Sequence, residues 1–325
     1  MRVVFFGSPD FAVASLEALH RSAHRVVGVV SQPDRPANRG LAMEAPAVKK
    51  FAVANNMEVL QPEKVNSDEV IRWIADLSPD ILAVVAYGEF LGDRLLKLCR
   101  YPPVNVHPSL LPDLRGAAPI QWSLIRGLAI SGVTTQFMSR EMDSGDILLQ
   151  EEVQIGREET AGELFERLRH LGGELLVKTL DGLERGEIKP RPQDHARATF
   201  APMLKKEMGH VPWDSVTAWD AHNLVRGLCP WPGAWALFQG KRVKILKTAS
   251  ETPLVRWGEQ SAPGSFTVQG NSLLVRCSDA LLEVLLVQPE GKRPMLPREF
   301  VNGIKGVPEI SWKFDGARPP EEKAP

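Results

Sequence analysis

In the stretch NVHPSLLPDLRGAAP, positions 105–119, a fixed amide donor lies two residues from the one side chain whose charge changes near neutral pH. At i, i+2 spacing on an extended segment, Asn105 and His107 share one strand face. Such a pair suits an oxygen that becomes negative during a reaction, because the amide donates and the imidazolium carries charge. Taken alone, an N-x-H pair more often has a plainer explanation, a turn-forming asparagine and a backbone-bonded histidine. The prolines that follow (Pro108, Pro112, Pro119) restrict the loop, and Ser109 with Leu110 and Leu111 could line an apolar pocket. A second cluster, MDSGDILLQ at 142–150, sets Asp143 and Asp146 around a Ser-Gly turn. A carboxylate beside histidine orients the ring and favours its charged form. Two turn-forming aspartates are the alternative there. Two carboxylates and one histidine without a fixed-spacing pair do not make a metal site, so no metal is expected.

These residues need a frame. Arg2–Phe6, Val26–Val30 and Asp80–Ala86 are apolar runs of the kind buried on both faces of a sheet. Val104–His107 and Val133–Met138 add two more strands, and Met57–Leu60 a short one. Helical patterns lie between them, from Phe11 to Leu19, Ala47 to Asn55, Glu69 to Leu77 and Ala118 to Arg126. Strand–helix alternation of this kind predicts an α/β, doubly wound (Rossmann-like), mostly parallel sheet. A long helix follows from Glu159 to Leu183. Residues 189–208, rich in proline and charge, read as a linker. Beyond it, one helix (Ala218–Leu228) precedes short apolar runs at 234–238, 243–246, 266–268, 273–275 and 281–287. Several have Gly or Asn between them, which predicts a small antiparallel barrel of the OB kind. The predicted organisation is a catalytic domain over 1–188, a linker, a barrel over 209–313 and a disordered tail over 314–325. Trp231 and Trp235 are read as barrel core.

Composition excludes several classes. No run of 18 apolar residues could cross a membrane, and the start MRVVFFGSPDF has no leader pattern, so a cytoplasmic monomer is expected. Three distant cysteines (Cys99, Cys229, Cys277) make neither a disulfide framework nor a zinc pattern. The first turn, FFGSPDFA, has one glycine where a dinucleotide fingerprint wants three, and Pro9 lacks an N–H, so NAD is disfavoured. Ser8 or Asp10 is expected to cap the first helix. Net charge is −1, but Lys205–Lys313 carries 14 Lys/Arg against 10 Asp/Glu. That imbalance fits an anionic partner for the second half, or ordinary scatter.

The motifs N-x-H-x-S-L-L-P, R-G-A-A-P-I-Q and M-D-S-G-D-I-L together resemble the 10-formyltetrahydrofolate-dependent formyltransferases. Further stretches (SQPDRPANRG, VVAYGEFL, TFAPMLKKE, CPWPGAWALFQGKRVKI, QPEGKRPM) resemble the members that act on the methionine of initiator methionyl-tRNA. The resemblance implies formyl transfer from 10-formyltetrahydrofolate, the co-substrate, to that methionine's α-amine. It implies a catalytic trio of Asn105, His107 and Asp143. It places folate against Ser109, Leu110, Leu111 and Pro112, and against Tyr87, Gly88, Phe90 and Leu91, the latter through backbone groups.

The loop 32–46 is long and poor in apolar anchors, so it is expected to be mobile without ligand. In the family it enters the tRNA acceptor end, with Arg39 at the matching position and Arg35 nearby. This chain departs from the family there, with Leu41, Ala42, Met43 and Glu44 where lysines are common. Lys205, Lys206, Lys241, Arg242, Lys244 and Lys247 are the phosphate-contact candidates of the second half. Two other readings remain at this stage: a formyltransferase for amino sugar nucleotides, and a catalytically silent RNA-binding protein.

Overall fold

The structure, a computed structural model, describes residues 1–37, 42–251, 261–304 and 312–315. The chain divides into two compact units. The first comprises Met1–Pro119, Ser131–Val153 and Phe165–Ala201; the second comprises Ile120–Ile130, Gln154–Leu164 and the chain from Pro202.

The first unit starts with β1 (Arg2–Gly7), α1 (Asp10–Arg21), β2 (Arg25–Val30), β3 (Arg35–Ala37), β4 (Ala42–Glu44) and α2 (Ala47–Ala54). It continues with β5 (Val59–Leu60), α3 (Asp68–Asp76), β6 (Ile81–Val85), α4 (Asp93–Leu96) and β7 (Val104–His107). α5 (Pro119–Ile125) falls in the second unit from Ile120 on, and β8 (Ile130–Phe137), β9 (Ile147–Gln154) and α6 (Ala161–Glu184), which joins the first unit at Phe165, follow it. Seven strands form one sheet in the order β5-β2-β1-β6-β7-β8-β9. The pairs from β5 to β7 are parallel, as the unbroken apolar runs require, and Val3 to Phe6 are fully buried. β8 departs from this rule and runs antiparallel to β7. β9 has no counterpart in the sequence reading. It is an outer strand, ILLQEEVQ, whose short apolar start gives way to Gln and Glu, so no long apolar run marks it.

Two glycines in α6 allow close packing. A Cβ on Gly173 would lie 2.8 Å from the Ala14 carbonyl of α1, and one on Gly172 would lie 3.0 Å from Val106 of β7. The cap of α1 differs from expectation. Pro9 is its N-cap without a side-chain bond, and the Ser8 hydroxyl instead accepts from the Gln32 amide at 3.1 Å.

The loop 32–46 is not shapeless either. β3 and β4 pair as an antiparallel hairpin, and Asp34 at its base is held by Lys49 and Gln61, each at 2.7 Å. These bonds keep the Asp34 carboxyl below its ordinary range, the Gln61 contact being the larger cause. The predicted linker is ordered over its first part. Residues 191–201 run along the first unit, with Arg191 and Ile147 exchanging backbone bonds (2.8 and 2.9 Å) and Ala201 N–H donating to Arg115. Its lack of periodicity reflects an irregular backbone pinned by loop-to-loop bonds.

The second unit holds α7 (Ala218–Gly227), β10 (Ala234–Phe238), β11 (Lys241–Ala249), β12 (Phe266–Gln269), β13 (Ser272–Arg276), β14 (Leu281–Pro289) and α8 (Pro297–Asn302). Thr217 caps α7, its hydroxyl accepting from Asp220 N–H at 3.0 Å. The strands form an antiparallel sheet in the order β10-β11-β14-β13-β12. The β10–β11 turn places Gln239 at φ 52° and Gly240 at φ 71°, the left-handed pair that a two-residue hairpin of matching twist needs. Asp315 bridges Leu237 of β10, and Lys313 bridges Ser265 beside β12, so one short segment joins both sheet edges. Phe314 between them is fully buried, its ring 4.7 Å from Phe266 and stacked on Trp213 at 5.6 Å. The expected disordered tail therefore cannot begin at 314: Phe314 and Asp315 belong to the barrel. Residues 316–325 lie outside the described residues.

Within this unit α7 also fastens the segment 154–164. Arg226, buried, donates to the carbonyls of Gly156 (3.0 Å) and Glu159 (3.1 Å). His222 lies 2.8 Å from Thr248 Oγ1 and 3.0 Å from the Arg157 carbonyl.

Candidate functional site

Asn105 and His107 stand at the carboxyl end of β7, in the centre of the first sheet, where open α/β sheets bind ligands. The register sets Gln136 of β8 directly across from Asn105, and Thr134 across from His107. Asn105 is half-buried, and among the described residues its amide has no hydrogen-bond partner. His107 is 5% exposed. Its Nε2 lies 3.0 Å from the Leu114 carbonyl, and its Nδ1 lies 3.7 Å from Asp143 Oδ1, within ion-pair range but too long for a hydrogen bond. Both ring nitrogens thus face oxygen acceptors. An imidazolium, with two N–H groups, can answer both.

Asp143 reaches His107 from the β8–β9 turn in a left-handed backbone conformation, φ 52°. A Cβ on Gly145 would run into the Phe137 carbonyl, so only glycine lets this turn fold back so tightly. The Gly116 amide donates to Asp143 Oδ2 at 2.9 Å, and Gln136 Nε2 lies 3.4 Å from Oδ1. Gln193 is 6% exposed and donates to the backbone carbonyls of Asp143 (2.9 Å) and Gly145 (2.7 Å). Arg115 in turn donates twice to Gln193 Oε1. Gln136, Gln193 and Arg115 are absent from the residues picked by sequence. Arg115 stood in a recognised motif without a role, while Gln193 sits in a stretch with no local signal. Asp146 makes no side-chain contact to the trio; its carbonyl accepts from Phe137 N–H at 2.9 Å.

The loop after His107 is fixed from β8 and β9. Thr134 Oγ1 donates to the Ser109 carbonyl at 2.6 Å, and Gln150 donates to the Leu111 carbonyl at 2.9 Å. The pocket-lining expectation needs correction. Leu111 is 3% exposed, and the Ser109 hydroxyl is spent on the Asp113 carbonyl at 2.6 Å, so both side chains face the interior. Leu110 and Pro112 are half-exposed. At the neighbouring strand end, Tyr87 and Leu91 are also core, Tyr87 lying edge-on to Phe6 at 5.3 Å. Gly88 (φ 89°) leaves open space above its Cα, and Phe90 is 58% exposed. Any ligand here meets Ser109, Leu111, Tyr87 and Leu91 through their backbone.

Among the predicted nucleic-acid contacts, Arg39 lies outside the described residues. Arg35 is exposed on β3. In the second unit the basic residues gather around Trp235. The Arg242 guanidinium lies 4.1 Å from the centre of its ring, and the indole N–H donates to the Lys206 carbonyl at 3.2 Å. Lys244 pairs with Trp235 in register, Lys241 follows the turn, and Lys205, Lys206, Lys241, Lys244 and Lys247 are exposed. Trp235 points away from the barrel core, which takes Ala234, Ala236 and Phe238 from this strand. Trp231 is 56% exposed. Trp231 is therefore not core, whereas Trp235 is 3% exposed and buried beside the main cluster, its ring 4.9 Å from His210.

Burial pushes the Cys99 thiol up to about 11 and Cys277 to about 12, so neither offers a thiolate at neutral pH. An amide, an imidazole and a carboxylate thus converge at the carboxyl end of β7. Comparison with known proteins gives the chain its class. Residues 1–180 match the formyl transferase family model and residues 203–305 its C-terminal domain model. The chain belongs to the formyl transferase family and is a one-carbon group-transfer enzyme.

Its curated relatives are more particular. It is 43% identical over 303 residues to a methionyl-tRNA formyltransferase of Thermodesulfovibrio yellowstonii, covering 93% of this chain and 96% of that relative. It is 44% identical, with the same coverage, to the methionyl-tRNA formyltransferase of Solibacter usitatus. Among solved structures, an N-formyltransferase from Helicobacter canadensis in complex with folinic acid and dTDP-3-aminofucose shares the fold. The TM-score is 0.65 at 15% identity, over 88% of this chain and 98% of that one. HypX from Aquifex aeolicus in complex with tetrahydrofolic acid gives 0.58 at 19% identity, over 94% of this chain and 48% of that one.

Proposed function

We propose that the protein transfers the formyl group of 10-formyltetrahydrofolate to the α-amine of initiator methionyl-tRNA, with Asn105, His107 and Asp143 as the catalytic trio. The unpartnered amide of Asn105, sharing a strand face with His107, is the observation that carries this reading. Asn105 donates to the formyl oxygen as the amine attacks and the oxygen becomes negative. His107, whose Nε2 is engaged by Leu114 in this geometry, supplies positive charge beside it. Asp143 keeps the ring aligned and accepts the proton lost by the attacking amine, directly or through water. That proton returns to the departing folate nitrogen as the carbon–nitrogen bond to folate breaks. The donor's ring system would lie against the backbone of 87–91 and 109–112, with Phe90, Leu110 and Pro112 offering exposed apolar surface. Arg39 and Arg35 would meet the acceptor end of the tRNA, and Lys205, Lys206, Lys241, Arg242, Lys244 and Lys247 its phosphates. The gap between the two family matches, 181–202, supports placing the domain connection within or next to 189–208.

The rival acceptor is an amino sugar nucleotide, of the kind bound by the Helicobacter canadensis N-formyltransferase in complex with dTDP-3-aminofucose. The relatives at 43–44% identity and the basic cluster around Trp235 favour tRNA. Formyl transfer is therefore measured with both acceptors. Charged initiator tRNA is expected to be formylated and a free amino sugar nucleotide not; the reverse would overturn the assignment. Asn105→Ala is expected to lower turnover about 100- to 1,000-fold, the usual cost of one preorganised oxyanion donor. Near-wild-type turnover would remove Asn105 from the trio.

A further inference from the structure

We propose that Gln193 and Gln136 form a one-way hydrogen-bond relay, begun by Arg115, that positions Asp143 as an acceptor facing His107. The proposal rests on the formyl-transfer reading and adds positioning residues to it.

Chemistry fixes the direction of every link. A guanidinium can only donate, so the Gln193 atom met by Arg115 Nε (3.1 Å) and Nη2 (2.6 Å) is the amide oxygen. The two N–H groups of Gln193 then meet three acceptors, one going to Gln136 Oε1 (3.0 Å) and the other shared between the carbonyls of Asp143 (2.9 Å) and Gly145 (2.7 Å). With its oxygen engaged, Gln136 turns its own nitrogen to Asp143 Oδ1, 3.4 Å away. The polarity runs from guanidinium to amide to amide to carboxylate, each link donating forward. The Gly116 N–H occupies the other carboxylate oxygen.

Burial makes these links hard to replace. Arg115 and Gln193 are each 6% exposed and Gln136 is 2% exposed, so water cannot freely substitute for a lost partner. The relay also answers a backbone problem. Asp143 sits at a positive φ, and the residue two further on permits no side chain. The contacts that one shared Gln193 N–H makes to both carbonyls clamp both residues of this turn from the far side. Without them the turn would relax and the carboxylate would drift from an imidazole that is already 3.7 Å away. A misplacement of that size at a catalytic group costs rate more than it costs binding.

A double-mutant cycle separates positioning from general structural support. Gln193→Met and Gln136→Met, each in the wild-type and the Asp143→Asn backgrounds, are assayed by formyl transfer to methionyl-tRNA. Each is expected to lower kcat about 10- to 100-fold with KM for both substrates within about twofold. In the Asp143→Asn background the same changes are expected to cost less than about twofold, since the group they act through is gone. Losses that simply multiply with that of Asp143→Asn, or a loss carried by KM, would overturn the relay. If Gln193→Met no longer melts cooperatively, Gln136→Met decides the cycle in its place. Wild-type protein inert toward every acceptor would instead overturn the formyl-transfer reading, and the relay with it. An active wild type with multiplying losses sinks the relay alone.

Discussion

At the scale of single residues, His107 has both ring nitrogens facing protein oxygens, whereas the side-chain amide of Asn105 two residues away has no partner among the described residues. Histidines elsewhere answer differently. His222 is 2% exposed in the second unit and its pKa is lowered, first by burial; the Arg157 carbonyl and Glu158 act in the opposite direction. A depressed histidine pKa means that the unfolded chain takes up a proton the folded chain refuses. Its contribution to stability is present above the ordinary value near 6.5 and falls away as pH drops from there toward the folded value. Thermal melts at pH 7.5 and 5.5 test this. Wild type is expected to lose melting temperature on acidification, and His222→Gln to lose less. Equal losses would show that His222 does not carry the effect.

At the scale of elements, glycine in a long helix usually weakens it, and Gly→Ala gains up to about 1 kcal/mol. Gly173 of α6 should reverse that sign. Its Cβ would approach the Ala14 carbonyl to 2.8 Å, and backbone cannot step aside as a side-chain tip can. Gly173→Ala is expected to destabilise the protein by about 1–3 kcal/mol, as overpacking does, read as a lowered denaturation midpoint. A raised midpoint would mean that α6 shifts freely. Elements of this kind explain what the sequence made legible. β1, β2 and β6 announce themselves as apolar runs because both of their faces are covered, and the N-x-H pair lay on the next parallel strand, β7. β9 stayed hidden because, as an outer strand, it passes from a short apolar start into Gln and Glu. Gln193 stayed hidden because its role depends on residues 57 and 48 positions away, which no local pattern encodes. Trp231 misled because aromatic residues among short strands usually mean core, whereas it is 56% exposed; Trp235 is buried, beneath Arg242 and beside the main apolar cluster.

At the scale of the whole molecule, a net charge of −1 hides a local concentration of cations. Binding of tRNA should therefore weaken with salt by an amount set by the cluster around Trp235 and not by net charge. Replacing Lys241 and Lys244 together by alanine is expected to lower the slope of log affinity against log salt by about two units. An unchanged slope would place the phosphates elsewhere. The segment 313–315, which joins both edges of the second sheet, lies after every strand of that sheet in the chain. Synthesis runs from the amino terminus, so all five strands emerge before the residues that seal them. Until Phe314 and Asp315 appear, β10 and β12 are two unprotected margins able to pair with another nascent copy. A message cut short by a dozen or so codons would thus yield a chain with its first unit intact and a lasting tendency to aggregate.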